Sequence, residues 1–240
     1  MALHLSEKLN PELVKQDEVY LNVRAAEGRL YPDEMVLQLP YLAHDHPHAA
    51  EWRIRAETFR RLLPVIGNKP RRILEVGCGN GWLCHRLAEH GHRVSGIDIN
   101  LTELRQATSL FPECSFHYGN ILEWKQERFD IILFAASIQY FPDIHTLFHH
   151  IRAELLKPSG FILVADSPVY PLEEVSMAAT RSSSYYRQRG FPEMRDYYHH
   201  HSLQTFLDEG AYSPEKVSIF EKILIGLKLF RRPFRIYRFD

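Results

Sequence analysis

Between Glu75 and Gly81 the chain reads Glu75-Val76-Gly77-Cys78-Gly79-Asn80-Gly81, three glycines at alternate positions behind an acidic residue. Glycines let the backbone turn sharply and let a ligand lie against it without meeting a Cβ. The free N–H groups of a helix that starts there face the same place and favour an anion. Asp98 follows about 20 residues on, the distance at which a ribose-binding acid is expected. A carboxylate at that point accepts charge-assisted bonds from both ribose hydroxyls. The chemistry these residues suit is the binding of a nucleoside-containing cofactor.

A second set of reactive side chains is histidine-rich. Of 14 histidines, His44, His46 and His48 alternate. In a strand, alternate side chains share one face. Such a face suits a metal ion, a base for a bound substrate, or local hydrogen bonds in a polar loop. We take His46 and His48, with Tyr140, as catalytic candidates and expect no metal. His199-His200-His201 follows a segment from Tyr185 rich in Tyr, Arg and His, which reads as a substrate lid or a surface excursion. Arg53 and Arg55 lie on a helix ahead of the glycines, where a cation pairs with a ligand carboxylate or simply faces water.

The elements that must hold these groups are legible from periodicity. Residues 73–76 form a short apolar run with β-branched members, a buried strand, and Leu83, Leu87 and Ala88 recur at helical spacing before Gly91. Strand, glycine turn and helix therefore follow in that order. Residues 94–97 make a second strand ending at Asp98. Asn100 and Glu103 form a capping box for a helix lined by Leu101, Leu104, Ala107 and Leu110. Further strands are expected at 115–118, 129–134 and 161–165, with a helix over 144–155 between the last two. The near-continuous apolar run at 129–134 suits a strand covered on both faces. Ahead of them, 49–66 is a helix with Trp52, Ala56, Phe59, Leu63 and Ile66 in one stripe. This alternation predicts a doubly wound, mostly parallel α/β sheet.

The first motif resembles that of the class I S-adenosylmethionine-dependent methyltransferases, in which an acidic residue precedes G-x-G-x-G. The resemblance covers roughly residues 49 to 166. It implies a Rossmann-like sheet of seven strands that closes with an antiparallel strand inserted beside the fifth. It also implies S-adenosyl-L-methionine as cofactor. Glu75 would orient the loop or its ligand, and Gly77, Cys78 and Gly79 would lie under the methionine and ribose portions. Asp98 would hold the ribose, and Ile99 would pack on the adenine. Asn120 stands where the family often has an acid for the adenine amino group, and an amide oxygen accepts there too. Ile121 follows it. Gln139-Tyr140-Phe141-Pro142-Asp143 is similar to the family's turn after strand four, so Phe134, Ala135 and Ser137 would pass the methionine end. The dinucleotide fingerprint G-x-G-x-x-G is a poorer match, because the third glycine comes one residue early.

Around this core we expect an N-terminal helical cap over residues 1–48, a methyltransferase domain over 49–240, and a lid at about 168–212 within it, inserted after strand five. Residues 216–220 and 234–238 read as the last two strands. The cations Lys222, Lys228, Arg231, Arg232, Arg235 and Arg238, interleaved with apolar residues, read as an amphipathic element on the sheet edge.

Bulk composition narrows the function. The chain has 240 residues, 45% hydrophobic and 25% charged, with net charge −1. That balance offers no electrostatic footprint for nucleic acid. No apolar run approaches a membrane span, no signal peptide is read at the start, and the three cysteines, Cys78, Cys84 and Cys114, form no disulfide framework and fit a reducing cytoplasm. Three activities stay open: methyl transfer to a small molecule, with oxygen, nitrogen or carbon as nucleophile; nicotinamide-dependent oxidoreduction; and cofactor binding without chemistry. An aminopropyl transferase on the same scaffold is a minor fourth. The acceptor and the oligomeric state are not written in the sequence.

Overall fold

The computed structural model describes residues 3–5, 10–125, 127–215 and 234–240. Its main sheet contains β1 (His4–Leu5), β2 (Arg72–Val76), β3 (Arg93–Asp98), β4 (Ser115–Tyr118), β5 (Phe129–Ala135), β6 (Leu156–Ala165) and β9 (Tyr237–Phe239) in the order β1-β4-β3-β2-β5-β6-β9. All neighbours are parallel except β6 and β9. This is the expected doubly wound sheet with a final antiparallel strand. That strand lies beside β6, the fifth of the sequence reading. The two-residue β1 on the far edge carried no periodic signal and was not expected. The strand expected at 216–220, and Lys222, Lys228, Arg231 and Arg232, fall outside the described residues.

Alternation along the strands separates two cores. Ile73, Ile131, Leu133 and Leu163 point to one face, against α3 (Ala49–Ile66), α4 (Trp82–Glu89) and α5 (Leu101–Leu110). Leu74, Ile132, Phe134, Ile162 and Val164 point to the other, against α6 (Ile144–His150) and the wider turn Ile151–Leu155 that continues it. Burial on both faces is what made these strands read as continuous apolar runs. Strand order reverses between β2 and β5. The crevice at the carboxyl ends of those strands is where an open α/β sheet binds ligands.

Two segments cover that crevice. From the N-terminal side come α1 (Pro11–Ala26), capped by Asn10, and the short α2 (Asp33–Val36). From the far side come β7 (Val169–Tyr170), α7 (Val175–Gln188), a tight turn Pro192–Asp196, β8 (His201–Ser202) and α8 (Leu203–Asp208). The two meet in a third, small cluster of Val23, Tyr186 and Met194 flanked by Tyr20, Tyr140 and Tyr198. Residues 44–48 are turns rather than the strand that alternation suggested, and His48 is the cap residue of α3. No helix among the described residues is long and apolar enough to cross a membrane.

Candidate active site

The loop after β2 is held to the sheet by its own backbone. Gly77 N–H and Cys78 N–H both donate to Ile97 O, at 2.8 and 3.3 Å. Gly77 has a φ of 73°, and a Cβ there would stand 2.5 Å from Ser137 Cβ. Only glycine lets the end of β2 pass the turn after β5. Ser137 Oγ in turn donates to Val76 O at 2.5 Å, locking the two strand ends together. Gly81, with φ 76°, lets the loop enter α4 against the Phe116 ring, which a Cβ would meet at 2.7 Å.

Asp98 ends β3 and points back at the loop. Its Oδ2 accepts from Gly79 N at 2.7 Å and its Oδ1 from Asn100 N at 2.8 Å. Burial lifts its pKa, and the N–H groups of Gly79, Asn100 and Ile99 pull it back. A carboxylate has about four acceptor positions, so with three N–H groups on it Asp98 keeps one for a ligand hydroxyl. Asn100 Oδ1 accepts from Glu103 N at 3.0 Å, as the capping box required.

Two cavities open here. The first, of about 400 Å³, is lined by Asp98, Ile99, Asn120, Ile121, Ser137 and Tyr140 among others, and is roofed by Leu13, Gln16 and Asp17 of α1. The second, of about 350 Å³, is lined by Cys78, Ala135, Asp166 and Tyr140, with Arg24, Glu27, Arg29, Glu51 and Arg55 from the N-terminal arm and α3 and Tyr186, Met194 and Tyr198 from the far cover. The two meet at Tyr20, Gly77, Gly79, Ala136 and Tyr140. A long ligand with one apolar, hydroxyl-rich end and one charged end can lie across that junction.

Four expected site residues lie elsewhere. Phe134 is wholly buried in the second core, edge-on to Phe141, because its strand position faces α6 and not the crevice. Glu75 lies under the loop and lines neither cavity. It accepts from Cys84 Sγ at 3.0 Å, and burial pushes its pKa up to about 8. His46 and His48 also line neither cavity. His48 N–H donates to His46 Nδ1 at 3.1 Å, His48 Nε2 pairs with Glu27 O at 3.1 Å, and both rings pack on Tyr31. They brace the arm from behind. His199 does line the first cavity, while His200 bonds Ser182 and His201 bonds Ile138 O. No group of three or more metal-ligating side chains gathers among the described residues.

The structure adds residues that sequence reasoning missed. Asp17 Oδ1 is buried with no hydrogen-bond partner, on the roof of the first cavity. Burial and the nearby Asp98 raise its pKa to about 7. Glu103 lines the second cavity near Gly79, and burial together with Asp98 raises it to about 7. Arg24 donates to Tyr20 Oη at 3.1 Å and lies 3.4 Å from Glu27. Asp166 follows β6 and faces the second cavity. Of these only Glu103 stands in a local motif, the capping box with Asn100, where it read as a helix cap. A signal existed only in the poor apolar periodicity of α1, where Val23 is the one buried residue.

The residue set fits a nucleoside cofactor with a zwitterionic tail. A Cβ-free cradle at Gly77, a carboxylate with a spare acceptor position and an orphaned acid on the roof suit the sugar. Ile99 and Ile121 suit a flat apolar base. Arg24 and Glu103 offer opposite charges for a carboxylate and an ammonium.

Residues 48–210 match the family model described as a methyltransferase domain. The chain belongs to the class I S-adenosylmethionine-dependent methyltransferases. Among curated relatives, trans-aconitate 2-methyltransferase of Escherichia coli O139:H28 is 31% identical over 116 residues, covering 45% of this chain and 46% of its own length. The same enzyme of Escherichia coli O157:H7 is 34% identical over the same shares. The chain thus spans about half the length of the curated relatives it matches. Geranyl diphosphate C-methyltransferase from Streptomyces coelicolor A3(2), solved with Mg2+, geranyl diphosphate and S-adenosyl-L-homocysteine, superposes with a TM-score of 0.59 at 14% identity, over 96% of this chain and 98% of that one. The YcgJ protein of Bacillus subtilis superposes with a TM-score of 0.55 at 15% identity, over 67% and 71%. Both share the fold. The family match sets aside the nicotinamide reading, which the early third glycine made the poorer match.

Proposed function

We propose that this chain binds S-adenosylmethionine across the junction of the two cavities and transfers its methyl group to a small molecule in the second. The supporting observation is the meeting of an apolar, Asp98-bearing cavity with a charged one at Gly77, Gly79 and Ala136. In this reading Asp98 holds the ribose, Ile99, Asn120 and Ile121 enclose the adenine, and Gly77 to Gly79 pass the sulfur. Cys78, Ala135 and Ser137 form the floor around it. The cofactor supplies a methyl carbon already activated by a sulfonium leaving group. The protein's work is then positioning and exclusion of water.

Tyr140 stands at the junction, half-buried, with Tyr20 and Tyr198 edge-on at 5.7 and 5.9 Å. Burial raises its pKa, so it acts as a neutral wall and hydrogen-bond donor. Residues 1–48 serve as a cap on the cofactor side, 49–240 as the methyltransferase domain, and about 168–212 as a substrate lid. Glu75 and Cys84 serve as a packed support beneath the loop. We place the protein in the cytoplasm, acting on small molecules and not on nucleic acid or a membrane.

A thermal-shift panel tests the cofactor. S-adenosylmethionine and S-adenosylhomocysteine should raise the melting temperature as RT ln(1 + [L]/Kd), and NAD and NADP should leave it unmoved. Stabilisation by NAD alone would reverse the assignment. Tight binding of S-adenosylhomocysteine with no methylated product from any small molecule would leave a binding protein.

A further inference from the structure

Two non-glycine residues in the described chain adopt the left-handed backbone conformation, Ala136 at φ 57° and Asp166 at φ 50°. Such strain collects at working sites and persists only where the surroundings enforce it. The two are neighbours. β5 and β6 run in register up to Ala135 and Ala165, and Ala136 N–H donates to Ala165 O at 2.9 Å. Adjacent strands lie about 4.8 Å apart. Asp166 therefore stands one strand spacing from Ala136, which lies at the junction where the cavities meet.

The Asp166 side chain faces the second cavity. Its Oδ1 accepts from the buried Thr58 hydroxyl at 2.6 Å, the one hydrogen-bond partner of this carboxylate among the described residues. Among the described residues no guanidinium is bonded to it, and the cations that line the cavity are engaged with other carboxylates. Glu51 takes Arg29 at 2.5 Å and Arg55 at 3.1 Å, and Glu27 takes Arg29 at 3.2 Å and Arg24 at 3.4 Å. The pairing holds Glu51 down at about 2. The charges facing Asp166 come from α3: Arg55 and Arg61 lower its pKa, Glu51 raises it, and burial raises it most. Arg61 is itself paired with Glu215 at 2.5 Å.

From this geometry we infer that Asp166 is the general base for the acceptor, and that the acceptor is an uncharged or cationic molecule whose nucleophile carries a proton, a hydroxyl or an ammonium, rather than a polycarboxylate. The inference rests on the methyl-transfer reading. Asp166 takes the proton from the acceptor O–H or N–H. The lone pair so freed forms a bond to the methyl carbon, the carbon–sulfur bond breaks, and its electron pair stays on sulfur as a neutral thioether. The proton leaves Asp166 for water after release. A carboxylate acceptor is already ionised at neutral pH and needs no such base. It would also meet the Asp166 carboxylate, while Arg24, Arg29 and Arg55 already share the carboxylates of Glu27 and Glu51. The aromatic walls, Tyr140, Tyr186, Tyr198 and Trp52, suit a ring or a cation.

The test uses the full chain with 4-ethylphenol, phenethylamine, tyramine and trans-aconitate. Calorimetry on the complex with S-adenosylhomocysteine should show one of the first three binding and trans-aconitate not. Turnover with S-adenosylmethionine should follow the same choice. Asp166→Asn keeps an acceptor for Thr58. It should lose on the order of 100-fold or more in kcat with S-adenosylhomocysteine affinity unchanged. The acid limb of the wild-type kcat/KM profile should vanish in it. In the ligand-free protein, carbon NMR of labelled aspartate should place the Asp166 pKa above the ordinary range. Thr58→Val, which withdraws the donor, should raise it further. Methylation of trans-aconitate, no product from any of the first three, or an Asp166→Asn enzyme with wild-type kcat would overturn the inference. Failure of S-adenosylhomocysteine to bind at all would instead sink the reading beneath it.

Discussion

The two halves of the cleft are built by different means. The cofactor half stands on the sheet. Its loop, Asp98, Ile99 and Asn120 all follow the carboxyl ends of neighbouring parallel strands, and backbone bonds such as Gly77 N to Ile97 O at 2.8 Å fix them. The half we propose for the acceptor is assembled from afar. Arg24, Glu51, Asp166 and Tyr198 come from four separate parts of the chain and meet around ion pairs and edge-on phenols. A site on strand ends is rigid because every neighbour is packed in the core. A site at the meeting of covers is adjustable, because its walls are side chains.

That contrast sets the size of each expected effect. Asp98→Asn should be the largest. Loss of one charged acceptor and an amide facing the Gly79 or Asn100 N–H should weaken S-adenosylhomocysteine binding by on the order of 100-fold in calorimetry. An unchanged affinity would show that the strand-end half does not hold the sugar. Gly77→Ala should follow, with loss of about 1–3 kcal/mol in denaturant unfolding and weakened binding, since its Cβ would strike Ser137. A stable Gly77→Ala protein with normal binding would mean the loop is less rigid than the geometry requires.

Glu75→Gln separates support from contact. Glu75, at about 8, and Asp17 and Glu103, each at about 7, hold protons in the folded state that the unfolded chain has released. The stability they give is present at low pH and is lost as pH rises through their folded values. His117 and His201, both held near 4 by burial, act oppositely, but only below about pH 6.5, where the unfolded histidine titrates. The ligand-free protein should therefore lose stability between pH 6.5 and 8.5. Glu75→Gln should flatten that fall by a few kcal/mol at most, read from unfolding at each pH, with S-adenosylhomocysteine affinity little changed. A large loss of affinity would make Glu75 a direct contact.

Asp17→Asn probes the roof of the same half and should do less. An ionised Asp17 accepts a sugar hydroxyl best above about pH 7, so wild-type affinity should rise across that pH and the variant should not, with a difference of about 3- to 10-fold at pH 8. The smallest effect belongs to His48→Ala. It removes one bond to Glu27 O, so about 1 kcal/mol of stability should go while cofactor affinity stays within twofold. A collapse of turnover there would return the histidines to the chemistry.

The same contrast explains what could be read from the sequence. Strand, loop, helix and Asp98 are local in the chain, and burial on both sheet faces wrote them as apolar runs. The acceptor half left no such trace. A helix that lies over a wet cleft turns the half-buried Tyr20, Arg24 and Asp17 toward it instead of an apolar stripe, so α1 showed little periodicity. His44, His46 and His48 alternate by accident of turn geometry. Two-residue spacing carries meaning only where the backbone is extended, and here it is not. Phe134 was misplaced for a related reason: near a strand end, one residue of register decides between core and crevice. Asp166 went unnoticed because its value lies in a backbone twist that side-chain patterns do not encode.

One small feature carries a kinetic consequence. Leu5 pairs with Tyr118 at the outermost parallel ladder, and Tyr197 Oη, on the opposite cover, donates to Glu12 at 2.9 Å. The roof helix is thus moored on both sides of the hollow it spans. Loosening the Tyr197–Glu12 bond should therefore speed release of the spent thioether, and turnover should rise in a Tyr197→Phe protein whose chemical step is untouched.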